Sequence, residues 1–307
     1  MAIVTSALLL ALNTAIQKAF KDAHAAMKAD SFWQKVATRV PSSTSSNTYG
    51  WLQDFPQLRE WIGDRVVKDM KSQGYEITNR LFEATLGVQR TAIEDDQYGH
   101  YSPIAAHMGQ EAAQHPDRLI SNLMAAGTSS LCYDGQNFFD TDHPVYASPD
   151  GTGALTTVSN YDDAAGAANP TWYLLDTRKV LKPFIFQERT APEMEMKMDP
   201  KTSDVVFTRD EYQWGIRYRC EAGFGFWQMA YASKQPLTVE NFEAARLAMR
   251  KFTADGGRPL GIAPNMIVVN ADLQAAAEDI FAVRSLPNGG DNKHYNRLEI
   301  VVDDWAA

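Results

Sequence analysis

The sequence predicts an α+β protein. Residues 5–29 and 101–129 repeat apolar side chains at helical spacing, short β-rich segments crowd the chain after residue 172, and helix and strand signals alternate from there to the end. With 307 residues, 45% hydrophobic and 22% charged, the chain is long and apolar enough to bury a sizeable core.

Taken in order, Ala7–Leu12 opens a stripe continued by Ile16, Phe20, Ala23 and Met27, which predicts an amphipathic helix with Thr5 or Ser6 as its N-cap. The opening apolar run is too short to span a membrane, and no basic stretch precedes it, so neither an anchor nor an export signal is expected. Residues 39–48, rich in Ser and Thr, predict a loop or extended arm, with Tyr49, Trp51, Leu52, Phe55 and Trp61 as an aromatic foot that anchors it. Residues 64–90 alternate Val66, Tyr75, Ile77, Phe82, Leu86 and Val88 with polar residues around turn candidates at 72–74 and 79–80. They predict a β-hairpin with two largely polar faces, which would lean on a neighbouring chain because an isolated hairpin is marginal in water.

Residues 101–129 predict a long helix, entered through Ser102 and Pro103, kinked at His115-Pro116 and ended near Gly127. Residues 146–170 read as a loop or linker. Strands are predicted at Trp172–Leu175, Val180-Leu181, Phe184–Phe186, Val205–Phe207, Trp214–Arg219, Met266–Val269 and Leu298–Val302. Thr238 caps a helix that presents Val239, Phe242, Ala245, Met249 and Phe252, and Asn270 or Asp272 opens another through Leu273, Ala276, Ala277 and Ile280. No internal repeat is present.

The net charge of −9 argues against sequence-independent nucleic-acid binding, which draws on clustered Lys and Arg. Cys132 and Cys220 read as reduced thiols of a cytosolic protein, and neither a CxxC nor a Cys/His spacing typical of zinc is present. The densest chemical constellation is Phe138-Phe139-Asp140-Thr141-Asp142-His143-Pro144. Two carboxylates and an imidazole so close can ligate a metal or do acid–base work. The same residue types before a proline also build turns, and no second ligand cluster completes a shell. Gly223-Phe224-Gly225-Phe226 lacks the third glycine of a dinucleotide loop and reads, with Trp227, as an aromatic strand that uses glycine for close packing. Glu193–Lys197 reads as a half-buried strand.

Several blocks together resemble the Mu-like phage major head subunit family. They are Trp33–Ser43 with Trp51-Leu52 and Leu58–Trp61; Arg80 with Phe82–Thr85 and Ile93–Asp96; Leu131–Gln136 running into Phe138–Pro144; Leu174–Thr177 with Lys182–Ile185 and Gln187–Arg189; and Gly256–Leu260 with Pro264 and Val268-Val269. The resemblance covers roughly residues 33–302. It implies the Hong Kong 97-type capsid fold, built from an N-terminal arm, an extended hairpin (E-loop), a long spine helix, and peripheral and axial domains. On that layout residues 1–50 are the N-terminal helix and arm, 51–100 the E-loop region, and 101–145 the spine helix and the start of the peripheral domain. Residues 146–307 are then the peripheral and axial domains, with a boundary near 235. One departure from the expected layout is that Arg258-Pro259-Leu260 follows the Trp172–Tyr231 segment instead of preceding it.

The function implied is that of a major capsid protein, with no enzymatic activity, cofactor, catalytic residue or metal ligand. It would self-assemble as hexamers and pentamers into the icosahedral head of a Mu-like tailed phage. The implied partners are copies of itself, a scaffolding protein, a portal and a decoration protein. The shell would enclose double-stranded DNA without sequence-specific binding or membrane contact, and would be assembled in the host bacterial cytoplasm to become part of the virion. There is no sign of a cleavable scaffold segment ahead of the first helix. Two alternatives are an encapsulin-like nanocompartment shell and, from another class, a metal-dependent hydrolase using Asp140, Asp142 and His143.

Overall fold

The computed structural model describes residues 6–53, 74–94, 101–149, 151–166, 168–197, 203–286 and 289–306. The first helix, α1 (Ser6–Ala29), buries Leu12, Ile16 and Phe20, spaced four residues apart on one stripe. A single turn, α2 (Trp33–Val36), leads into β1 (Ala37–Pro41) and β2 (Ser46–Tyr49). Next come β3 (Tyr75–Thr78), β4 (Arg80–Gln89) and the short α3 (Arg90–Glu94), then the long α4 (Tyr101–Ala125).

After α4 a turn leads to the small antiparallel pair β5 (His143–Tyr146) and β6 (Leu155–Val158), followed by β7 (Tyr161–Asp162) and β8 (Trp172–Leu175). Two fourteen-residue strands, β9 (Phe184–Lys197) and β10 (Glu211–Phe224), flank α5 (Asp204–Arg209). The chain finishes through β11 (Ala230–Ser233), α6 (Val239–Arg250), the two-residue strands β12 (Thr253–Ala254) and β13 (Arg258–Pro259), β14 (Met266–Val269), α7 (Gln274–Phe281) and β15 (Glu299–Val302).

Two sheets organise these elements. The first has the order β1-β9-β10-β4, with β1 parallel to β9 and the other pairs antiparallel. Strict alternation in β10 puts Tyr212, Trp214, Ile216, Tyr218 and Cys220 on the buried face, where α1 and α4 lie. The opposite face is charged and open. There Arg217 stands between Glu83 and Glu193 in register, an opposite-charge ladder across three strands. The helices α1 and α4 are in close contact at Gly109, where a Cβ would lie 2.3 Å from the Phe20 carbonyl oxygen.

The second sheet has the order β15-β14-β8-β11-β7. Its inner strands β8, β11 and β14 are buried along their whole length, because both faces of the sheet are covered. Phe242 of α6 meets Phe281 of α7 edge-on at 4.8 Å, and Phe139 packs on Tyr173 at 5.4 Å. One apolar core joins the two sheets, with Phe138 stacked on Phe224 at 4.4 Å near its centre.

The α+β class and the four main helices agree with the sequence, and several details differ. The residue 39–48 segment is not a free arm: β1 is hydrogen-bonded to β9 and β2 to β3. In the 64–90 segment, residues 64–73 lie outside the described residues, and β3 and β4 do not pair with each other. The chain changes partners at Asn79, whose side-chain Nδ2 donates to Thr44 O, so β3 joins β2 while β4 becomes the edge strand of the first sheet. Val88 of β4 is buried, so this strand has a core face of its own. Helix α4 runs unbroken through Pro116. The residue 146–170 stretch carries β6 and β7. Val180-Leu181 is an exposed loop, and Val205–Phe207 lies in the short helix α5, which is closed by Asp210 at φ 52°.

Candidate functional site

The turn between α4 and β5 holds the chemical residues singled out in the sequence. Leu131 bridges to Asn137, and the Cys132 amide donates to the Gln136 carbonyl at 2.7 Å. The reversal depends on Gly135 at φ +87°, which an L side chain rarely adopts. Phe138 and Phe139, both fully buried, fasten the turn into the core.

Asp140 acts as a turn brace. Its Oδ2 accepts from the Asn137 amide at 3.2 Å and its Oδ1 from the Thr141 amide at 2.7 Å. Asp142 is fully exposed, and a hydrogen bond to Asp140, followed by that residue's charge, raises its pKa. His143 is 0% exposed and takes other partners: Nδ1 lies 2.7 Å from Asp134 Oδ2, and Nε2 lies 3.2 Å from Asn160 Oδ1. Its ring stacks on Trp227 at 3.9 Å with an 8° tilt. The three residues of the hydrolase alternative therefore do not converge. Both imidazole nitrogens are engaged elsewhere, and one of the two carboxylates is a turn acceptor.

The group that does converge is Cys132, Asp134 and His143, whose donor atoms lie within 4.8 Å of one another. Cys132 Sγ donates to Asp134 Oδ1 at 3.0 Å, and the Gln136 amide donates to the same oxygen at 3.1 Å. Burial opposes the Asp134 charge, but the hydrogen bond and charge of His143 outweigh it and hold the carboxyl below its ordinary range. Burial, then the adjacent Asp134 charge, pushes the Cys132 thiol well up, so without a counter-cation it is a neutral thiol and not a nucleophile. Sequence spacing did not find this group.

The remaining surface leaves apolar side chains uncovered on several elements: Leu10 on α1, Leu81 on β4, Leu155 on β6, Leu247 on α6, and Val180 in the β8–β9 loop, which is 91% exposed. The Val180 loop also carries Arg178, Lys179 and Lys182. No helix among the described residues is long and apolar enough to cross a membrane.

The model of the family described as Mu-like prophage major head subunit gpT matches residues 9–306. The chain belongs to this family. Such a major head subunit is a phage capsid protein and a component of the virion. The major capsid protein of Escherichia phage Mu is 43% identical over 308 residues, covering 99% of each chain. The Mu-like prophage FluMu major head subunit of Haemophilus influenzae is 42% identical over 310 residues, 99% of this chain and all of that one. Among solved structures, the procapsid of bacteriophage JBD30 matches with a TM-score of 0.87 at 52% identity, covering 98% of this chain and 100% of that one. The JBD30 capsid matches with a TM-score of 0.72 at 42% identity over 99% of both. The architecture is thus the Hong Kong 97-type capsid fold. The end-to-end alignment with relatives also removes the suspected reordering of the Arg258–Leu260 segment, because a permuted chain would align only in part.

Proposed function

We propose that this head subunit self-associates into hexamers and pentamers that close an icosahedral shell around double-stranded DNA, acting by assembly and without chemistry of its own. Its full-length likeness to capsid subunits carries this reading and favours a phage head over an encapsulin-like compartment. Heterologous contacts around a ring close into pentamers and hexamers, and many modest interfaces acting together hold a shell that single contacts could not. The uncovered apolar side chains and the open charged face of the first sheet are the surfaces such neighbours would cover. The acidic balance suits a container that holds DNA without adhering to it.

In this layout α1 to β2 belong to the N-terminal arm region and residues 51–100 to the E-loop region, α4 is the spine, and the second sheet with α6 and α7 contributes the axial side. The further partners are a scaffolding protein and a portal, with assembly in the host cytoplasm. A decoration protein is a third, since the JBD30 capsid is known in a form decorated with minor capsid protein trimers. The test is sedimentation and negative-stain microscopy of the chain expressed with and without its genomic neighbours. Closed shells or rings are expected, and a strict monomer or dimer under every condition would overturn the reading.

A further inference from the structure

We propose that Cys132, Asp134 and His143 form a binding site for a zinc-class divalent cation, which staples the turn after α4 to the start of β5. A thiolate, an imidazole and a carboxylate are the donor types that zinc combines. The donor pairs now stand 3.0 Å (Sγ to Oδ1) and 2.7 Å (Nδ1 to Oδ2) apart. A tetrahedral zinc ion at about 2.0–2.3 Å from each donor holds donors roughly 3.3–3.8 Å apart. Binding therefore asks these two pairs to open by about 1 Å or less, and asks Sγ and Nδ1, which lie within 4.8 Å of each other, to settle at the same spacing.

The imidazole is already oriented for the task. Asn160 Nδ2 donates to the carbonyls of Phe138, Trp227 and Ala230, at 2.8, 3.3 and 3.3 Å. That commitment turns Asn160 Oδ1 toward His143 as an acceptor, so Nε2 carries the hydrogen. Nδ1 then faces the Asp134 carboxylate. With Asp134 Oδ2 2.7 Å away, Nδ1 stands beside the second donor of the set. A ring held by an outer-shell oxygen on its far nitrogen is the usual arrangement of metal-bound histidine.

The charges of the bound form balance. A dication with one thiolate, one carboxylate and a neutral imidazole is neutral, which avoids an uncompensated buried charge, and the protons displaced from the donors leave to solvent. Access runs past Asp134, whose side chain is 11% exposed, and past Gly135, beside which a Cβ would meet nothing within 4 Å. The fourth position falls to a water on that side or to the Asn137 carbonyl, 4.0 Å from Sγ.

The test uses the full chain purified without chelators, assembled or not. About one zinc per chain is expected by mass spectrometry. Replacement by Co²⁺ should give a near-ultraviolet thiolate-to-cobalt charge-transfer band, with protons released on binding. Cys132→Ser, which keeps a hydroxyl donor to Asp134, should abolish the band and weaken binding at least about tenfold, while circular dichroism stays native. Cys220→Ser should retain both. Folded wild-type chain that takes up no cobalt, or a band that survives Cys132→Ser, overturns the site. Should the serine variant fail to fold, X-ray absorption on the wild-type cobalt form decides: a sulfur ligand is expected, and a shell of nitrogen and oxygen alone refutes the proposal.

Discussion

Asp117 sits in the middle of α4 with 6% of its surface exposed, and its Oδ1 accepts from the Trp33 amide at 2.9 Å, tying the spine to α2. Burial is the main influence on its carboxyl and raises its pKa from 3.8 to about 6, with the nearby Asp303 adding in the same direction. Because the folded-state pKa lies above the unfolded one, the protonated form favours folding. That stability is fully present below pH 4 and is lost as pH rises through about 6. The difference is worth roughly 3 kcal/mol. Asp117→Asn keeps an acceptor for Trp33 and removes the charge, but adds an amide that must itself find partners, so a net gain of about 2 kcal/mol is expected at pH 8. At pH 4 the gain should be gone, leaving a loss of about 1 kcal/mol from the added amide. Asp117→Ala leaves the Trp33 N–H without its acceptor and should destabilise at both pH values by about 1–3 kcal/mol. Urea unfolding of the unassembled chain at the two pH values measures all of this. An asparagine variant with the same stability change at pH 8 and pH 4 would refute the assignment of a charged, burial-strained carboxylate.

Other outcomes follow from single contacts. His115 lies between Phe82 at 4.1 Å and Tyr218 at 5.7 Å, and burial, then Arg118 and Arg80, lowers its pKa to about 4 against a small opposing pull from Glu111. His115→Phe should remove the stability loss that this group imposes between pH 6.5 and 4, as acid melts of variant and parent will tell. Gly109→Val places a Cβ against the Phe20 backbone, so α1 must move off α4; a loss of about 1–3 kcal/mol is expected, and an unchanged melting temperature counts against the close crossing. Val180→Asp should change monomer stability by less than about 0.5 kcal/mol yet reduce shell yield in sedimentation, and normal shells would show that this loop is not covered on assembly.

The helices were legible because their faces repeat at 3.6 residues and their starts are written in side chains. Thr238 Oγ1 accepts from the Asn241 amide, and Asn270 Oδ1 from the Leu273 amide, as the capping residues predicted. The apolar run Met266–Val269 was equally legible as an inner strand. What the sequence hid was partnership. Alternation in Phe82, Leu86 and Val88 shows a strand, but whether it pairs with β3 or β10 depends on residues more than a hundred positions away. Val205–Phe207 has strand-forming side chains but lies in the helix α5. In the candidate site, His143 was picked out with the wrong carboxylates. Asp134-Gly135 was the available signal, since that dipeptide reverses the chain and folds Cys132 and Asp134 back beneath the histidine.

The two titrating groups of α4 act against each other, and this changes how any acid profile of the chain must be read. Asp117 gains stability as pH falls through its window of about 6 to 3.8, whereas His115 loses stability from 6.5 down to about 4. The windows overlap almost entirely and the signs are opposite. Neither group is a principal influence on the other, because Asp117 responds to burial and Asp303, and His115 to burial, Arg118, Arg80 and Glu111. The contributions of these two groups to the acid profile therefore oppose each other. Relative to the parent, Asp117→Asn should steepen the loss of stability in acid and His115→Phe should lessen it, and the change in the double variant should equal the sum of the two.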